Sequence, residues 1–394
     1  MSNRQGRART WLSGSVLAAA ATVGLVVGLT GSAYADPTTT YVAVGSDTTQ
    51  DVMDQFAINI GGGIVGSWDA VNPGDPANPH DTINPKPGCS ETRPNGSGEG
   101  LAALRKSINP NTTATQLANP PEPNCIDFSR SSSGPGANQS NTGDLVYIPF
   151  ALDAVATATG PLTAVTGTDP AVATNITHAD DFTLANVQSL YNCNTILVDT
   201  VNYVPDGTVT DATHQPIHLY IPQLGSGTRN FWATTMGINA TTPPACVHDH
   251  SEVTPTLQVQ EHDGTVYAGD ADGLGPFSIA QFIAQSNGHN DRRHHVLLHS
   301  IGGQAPIVNN ALNTAYPITR EVYNVTKLSK VTQGSADFDP ALTQLLVGST
   351  STVCLGGLTI RNFGFATLNT APLGHTCGQV AANLRAFDPA TNPV

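Results

Sequence analysis

Ile217-His218-Leu219-Tyr220-Ile221-Pro222-Gln223-Leu224-Gly225-Ser226-Gly227-Thr228-Arg229-Asn230-Phe231-Trp232-Ala233 reads as a short strand, a glycine-flanked hydroxyl loop and the opening of a helix. The apolar run stops at Pro222, and Gly225-Ser226-Gly227-Thr228 leads into Arg229. Strand, small loop and helix N-terminus together suit an anion, because free backbone N–H groups and the positive end of the helix dipole meet at one spot. A single loop of this kind is commonly an ordinary helix cap. Its weight comes from repetition along the chain.

Three further loops have the same character. Gly45-Ser46-Asp47-Thr48-Thr49 follows the apolar run Thr40–Val44 and precedes Val52, Met53, Phe56 and Ala57 at helical spacing, with Asp47 or Thr48 placed as the N-cap. Gly96-Ser97-Gly98-Glu99-Gly100 precedes the helical run Leu101–Arg105. Cys125-Ile126-Asp127-Phe128 reads as a strand that breaks into Ser129-Arg130-Ser131-Ser132-Ser133-Gly134. A long apolar run covers 145–152, a helix is expected around Val187–Tyr191 and another over 277–283, and Ala315–Arg320 leads a last strand. This alternation predicts an α/β fold with mostly parallel sheets, whose ligands sit beyond the carboxyl ends of strands.

The N-terminus has the pattern of an export signal: Arg4, Arg7 and Arg9, an apolar core from Trp11 to Leu29, and Ala33-Tyr34-Ala35 as the cleavage site. Residues 1–35 are therefore expected to be removed and the mature chain secreted. The whole chain carries a net charge of −14, and the signal holds three of its arginines and no acid, so the mature chain is more acidic still. That balance argues against nucleic acid or an anionic membrane as partner but leaves room for a small anion held by local donors. The six cysteines (Cys89, Cys125, Cys193, Cys246, Cys354 and Cys377) are an even number in an exported chain and read as disulfides. Fifteen pairings are open to six cysteines; the simplest joins sequence neighbours.

The order of these motifs resembles the phosphate-binding members of the type II periplasmic binding proteins, the PstS-like family. The resemblance rests on Gly45–Thr49, Gly96–Gly100, Asp127–Ser132, Ile148-Pro149-Phe150-Ala151-Leu152-Asp153-Ala154-Val155, Gly225–Arg229, Gly273–Ala280 and Tyr316-Pro317-Ile318-Thr319-Arg320-Glu321-Val322-Tyr323. It implies two α/β lobes joined by two crossover strands. Lobe one would take 36–149 with 303–394 and lobe two 150–302, with hinges near 150–153 and before Tyr316. It implies a small anionic ligand, phosphate or similar, an ABC permease as partner, a monomer and no catalysis. The ligand contacts it implies fall on Thr48, Thr49, Ser97, Ser131, Ser226, Gly227 and Thr228, and Ser46, Asp47 and Ser132 in the same loops complete the candidate set. Two places depart from the family: Pro222 stands where an arginine is usual, and Ser132 where an aspartate is usual. Arg130 or Arg229 would have to supply the guanidinium, and Asp47 the proton acceptor.

Other chemistries have less support. His248, His250 and Glu252 cluster beside Cys246, and His289, Asp291, His294, His295 and His299 lie farther on, but no metalloprotease spacing is present, so these read as solvated segments and no metal or cofactor is expected. Neither Ser97 nor Ser226 has the spacing of a hydrolase nucleophile elbow. Phe231 and Trp232 read as core residues behind the loop. Stacking on a sugar is the alternative, which keeps open an extracellular interaction or glycan-binding protein that has the fold without phosphate binding.

Overall fold

The computed structural model describes residues 40–72, 80–108, 124–161, 174–370 and 372–387. The export signal expected over 1–35 lies outside the described residues. Among the described residues, no helix is long and apolar enough to cross a membrane.

The elements that position the site are strand β1 (Tyr41–Gly45), helix α1 (Gln50–Ile60), β2 (Val65–Ser67), α2 (Ser97–Ile108), β3 (Phe128–Ser131), β4 (Leu145–Thr159), α3 (Leu184–Tyr191), β5 (Ile196–Val198), β6 (Val201–Pro205), β7 (His214–Tyr220), α4 (Gly227–Met236), β8 (Gly273–Ser278), α5 (Ile279–Ser286) and β9 (Thr319–Lys327). They form a mixed α/β structure on a 13-stranded sheet whose main order is β2-β1-β3-β9-β4-β8-β7-β6-β5. One wing is parallel, with β1 between β2 and β3. The other is parallel where β7 lies between β8 and β6. Antiparallel pairing is concentrated at the centre, where β9 runs against β4 from Thr319 opposite Ala154 to Lys327 opposite Leu145.

All 15 residues of β4 are buried. Its sequence, LVYIPFALDAVATAT, is almost continuously apolar because both faces are covered. The pairing slips at one place: Tyr323 faces Pro149 while Val322 faces Ala151, leaving Phe150 as the extra residue. Proline has no N–H to give to a ladder, so a bulge is where a central strand tolerates it. The far half of β4 then pairs with β8, from Leu274 opposite Thr159 to Ser278 opposite Val155.

Several boundaries differ from the sequence reading for local reasons. Helix α1 begins one or two residues later than expected, with Thr49 as its N-cap and no side-chain capping bond; Asp47 accepts the neighbouring Thr48 N–H and the Thr48 hydroxyl donates to Glu261. Strand β3 starts at Phe128, not Cys125, so Ser129 to Ser131 belong to the strand. Phe277 and Ser278 finish β8, and the helix opens only at Ile279 with Ser278 as its cap. Trp232 is fully buried and meets Tyr191 edge-on at 5.6 Å between ring centroids. It is a core residue and has no face left for a sugar.

The disulfides join sequence neighbours: Cys89–Cys125, Cys193–Cys246 and Cys354–Cys377. They close loops of 36, 53 and 23 residues and fit an oxidising compartment.

Candidate functional site

Helix α4 is capped by its own loop, since the Ser226 hydroxyl accepts the backbone N–H of Arg229 at 3.2 Å. The Thr228 hydroxyl in the first turn faces the first loop, 3.4 Å from Thr48 Oγ1. Gly227 is needed for closeness: a Cβ there would lie 2.4 Å from Ser97 Oγ and 2.6 Å from Ser132 Oγ. Two other approaches are equally tight. Gly98 N–H donates to Gly225 O at 2.9 Å, and a Cβ on Gly100 would sit 2.4 Å from Gly45 Cα. All four small-residue loops therefore meet. Ser97 accepts the Ser132 N–H at 3.0 Å and pairs with its hydroxyl at 3.3 Å.

The place the hydroxyls surround is occupied by a carboxylate of the chain itself. Glu261 is fully buried, and its Oε1 accepts from Thr48 Oγ1 at 2.6 Å and from Thr228 Oγ1 at 2.7 Å. Its Oε2 has a longer contact, 3.3 Å, from Ser226 Oγ. Short O–H···O⁻ bonds of this kind are charge-assisted. Backbone bonds hold the segment in place: Ser278 N–H donates to Glu261 O at 2.8 Å, and Gln285 Nε2 to His262 O at 2.8 Å. Gln281 on the same helix donates to Thr48 O at 2.7 Å, tying α5 to the first loop.

The guanidinium at this cradle is Arg320, and not Arg130 or Arg229. Arg320 Nη1 donates to Thr228 Oγ1 at 2.7 Å, while its Nε and Nη2 hold Asp153 Oδ2 at 3.0 and 2.7 Å. Ser278 Oγ and Ala280 N–H also donate to Asp153. Arg130 is turned into the backbone of the first wing, where it donates to the carbonyls of Ser46, Gly45 and Trp68 and to Ser67 Oγ. Arg229 reaches the other way, to the carbonyls of Ala240 and Pro222 and to Asp249. Ser131 is also directed away, its hydroxyl donating to Ser133 O at 2.7 Å. Of the residues expected from the sequence, Thr48, Ser226 and Thr228 touch Glu261, and Ser97, Ser132 and Gly227 form the adjoining contact. Ser46 Oγ and Thr49 Oγ1 are buried without a hydrogen-bond partner.

The charges are unevenly placed. Asp47 accepts the Thr48 N–H at 2.9 Å through Oδ1, and its Oδ2 lies 3.4 Å from His262 Nδ1. Burial alone pushes Asp47 upward, but nearby His262 and then Glu261 outweigh it and hold the carboxyl below its usual range. Burial, followed by the charge of Asp47, pushes Glu261 up to about 6.

Glu261, His262, Arg320 and Asp153 were missed as site residues. Arg320 had a readable signal: Ile318, Arg320 and Val322 alternate, which places a cation on an apolar strand face. Nothing in the sequence around Glu261 marks it, since its partners Thr48 and Thr228 lie 213 and 33 residues away.

No protein-family model matches the sequence, and no curated protein matches it. Solved structures do. An ABC-type phosphate transport receptor from Vibrio cholerae is similar at 16% identity and a TM-score of 0.45, over 83% of this chain and 99% of its own. A putative phosphate ABC transporter substrate-binding protein from Clostridium perfringens, solved with bound phosphate, is similar at 14% identity and a TM-score of 0.44, over 83% of this chain and 98% of its own. PstS from Borrelia burgdorferi is similar at 14% identity and a TM-score of 0.37, over 83% and 97% of the two chains.

Proposed function

We propose that this chain is a secreted, non-catalytic solute-binding protein of two lobes, 36–149 with 303–394 and 150–302, and that its solute is a small oxyanion such as phosphate. One observation carries this reading: the cradle of Thr48, Ser226, Thr228 and Arg320 already holds an oxyanion, the carboxylate of Glu261. The bulge at Pro149–Ala151 overlaps the hinge expected over 150–153 and interrupts the pairing of β4 with β9 there. An incoming anion has to displace Glu261. If the cradle is vacant in only about one molecule in a hundred, apparent affinity is weakened about 100-fold.

Calorimetric titration with inorganic phosphate and sulfate tests this on the wild type and on Glu261→Ala. The variant is expected to bind phosphate at least about tenfold more tightly than the wild type, by relief of that occupancy, and to lose the gain when Thr228→Val is added. If Glu261→Ala folds and binds neither anion, the oxyanion reading is wrong. The second reading, an extracellular interaction protein with the cradle permanently plugged, is favoured by the direct Gly98–Gly225 bond across the loops. It requires both proteins to be silent.

A further inference from the structure

Beside the cradle lies a second constellation that oxyanion binding does not use. Asp47, Glu261 and His262 are all buried, and each brings one ligand-type atom within 4.8 Å of the others. We propose that these three residues form a binding site for a divalent transition-metal ion, zinc or manganese in class. The inference shares Glu261 with the proposed function but does not need the oxyanion to bind.

Asp47 and Glu261 each have one carboxylate oxygen firmly held and the other less engaged, and the imidazole of His262 keeps Nδ1 unengaged. Asp47 Oδ1 holds the Thr48 N–H, while Oδ2 has no hydrogen-bond partner. Glu261 Oε1 takes two hydroxyls, while Oε2 has only the 3.3 Å contact with Ser226. His262 is 3% exposed, and its Nδ1 has no hydrogen-bond partner. Nδ1 and Asp47 Oδ2 are 3.4 Å apart but out of line for a hydrogen bond. Two ligands about 2.1 Å from a tetrahedral ion are themselves about 3.4 Å apart. The bonds to Asp47 Oδ1 and Glu261 Oε1, with Gln285 holding the His262 carbonyl, supply outer contacts of the kind that keep metal ligands in place.

Charge balance points the same way. Arg320 is paired with Asp153, and among the described residues neither Asp47 nor Glu261 forms an ion pair with a lysine or arginine. Two adjacent buried carboxylates with no lysine or arginine partner carry a large desolvation cost. A divalent ion offsets both at once. One imidazole with two carboxylates is a donor set that suits zinc and the neighbouring transition metals better than calcium, which prefers an all-oxygen shell. The exposed group His178, Asp181 and Asp199 has a similar donor list, but His178 Nδ1 is already in contact with both carboxylates. It serves as the control.

The test uses the mature protein after chelator treatment, titrated with Zn²⁺ and Mn²⁺ by calorimetry, with metal content measured after gel filtration. Expected is one tight site per chain that survives His178→Gln and weakens on the order of 100-fold or more in His262→Gln and in Asp47→Asn. Cobalt(II) added to the wild type should give visible absorption bands of a nitrogen- and oxygen-ligated ion, which needs no variant to fold. Absence of those bands, or binding unchanged in a folded His262→Gln or Asp47→Asn protein, overturns the proposal. The phosphate titration of Glu261→Ala is run in chelator, so failure of the metal site and failure of the oxyanion reading give different results.

Discussion

Replacing Arg320 by leucine should expose how the cradle is held. Its guanidinium is 3% exposed and forks onto Asp153, which is fully buried. Removing one member of a buried pair leaves the other charge without compensation and costs about 3–5 kcal/mol. Asp153 keeps its bonds from Ser278 Oγ and Ala280 N–H, so the lower end of that range is expected. Asp153→Asn should cost a similar amount, because it strands the guanidinium instead. The double variant leaves no unpaired charge, so the two costs should fall short of adding by about 2 kcal/mol or more. Equilibrium urea unfolding, followed by tryptophan fluorescence, gives all four corners of the cycle. Arg320 also fixes a proton: because Nη1 donates to Thr228 Oγ1, the Thr228 hydroxyl must turn its hydrogen toward whatever sits in the cradle. In the Glu261→Ala background, Arg320→Leu should therefore weaken phosphate binding about tenfold, the worth of one oriented hydrogen bond. A single-variant cost below about 1 kcal/mol, or costs that add within about 0.5 kcal/mol, would refute the reasoning.

Arg130→Met removes donors to four backbone carbonyls and to Ser67 and should cost about 3 kcal/mol or more in the same unfolding assay; normal stability with lost anion binding would return Arg130 to the ligand set. Burial and then the charge of Asp69 push the Asp54 carboxyl well above its ordinary value. Such a carboxyl favours the folded state most when pH is below its unfolded pKa, about 3.9, and that contribution falls as pH rises toward the folded value. Asp54→Asn stays neutral, so its melting temperature should gain on the wild type from about pH 4 to pH 7, and a difference that does not change with pH would contradict this. Gly227→Ala must push the Ser97 and Ser132 loops away from α4 and should cost about 1–3 kcal/mol, with faster hydrogen exchange over 96–100.

How legible all this was depends on how local the cause is. The loop at 225–229 could be read because its fate is decided within five residues, by glycine freedom and by Ser226 capping its own helix. The alternation of strands and helices was legible for the same reason, since burial of β4 on both faces leaves its mark as a nearly continuous apolar run over 145–152. Arg130 and Arg229 were misread because the sequence places a guanidinium near a loop without saying which way a long side chain turns. Backbone carbonyls captured both. Glu261 was invisible because its role comes entirely from tertiary contact: an acid in a polar segment looks the same whether it faces water or three hydroxyls.

The central pairing of β4 with β9 has a consequence for how the molecule is made. Residues 145–159 meet residues 319–327, so the two wings acquire a common spine only after most of the chain has been synthesised. Closing so long a loop is slow, since its entropy is lost before the contact repays any of it. Until then the first two-thirds of β4, 145–154, lacks its partner strand and is a mainly apolar segment of the kind that draws other chains into aggregates. An order of assembly that withholds its centre until the end makes the arrival of β9 the step that commits the polypeptide to its final shape.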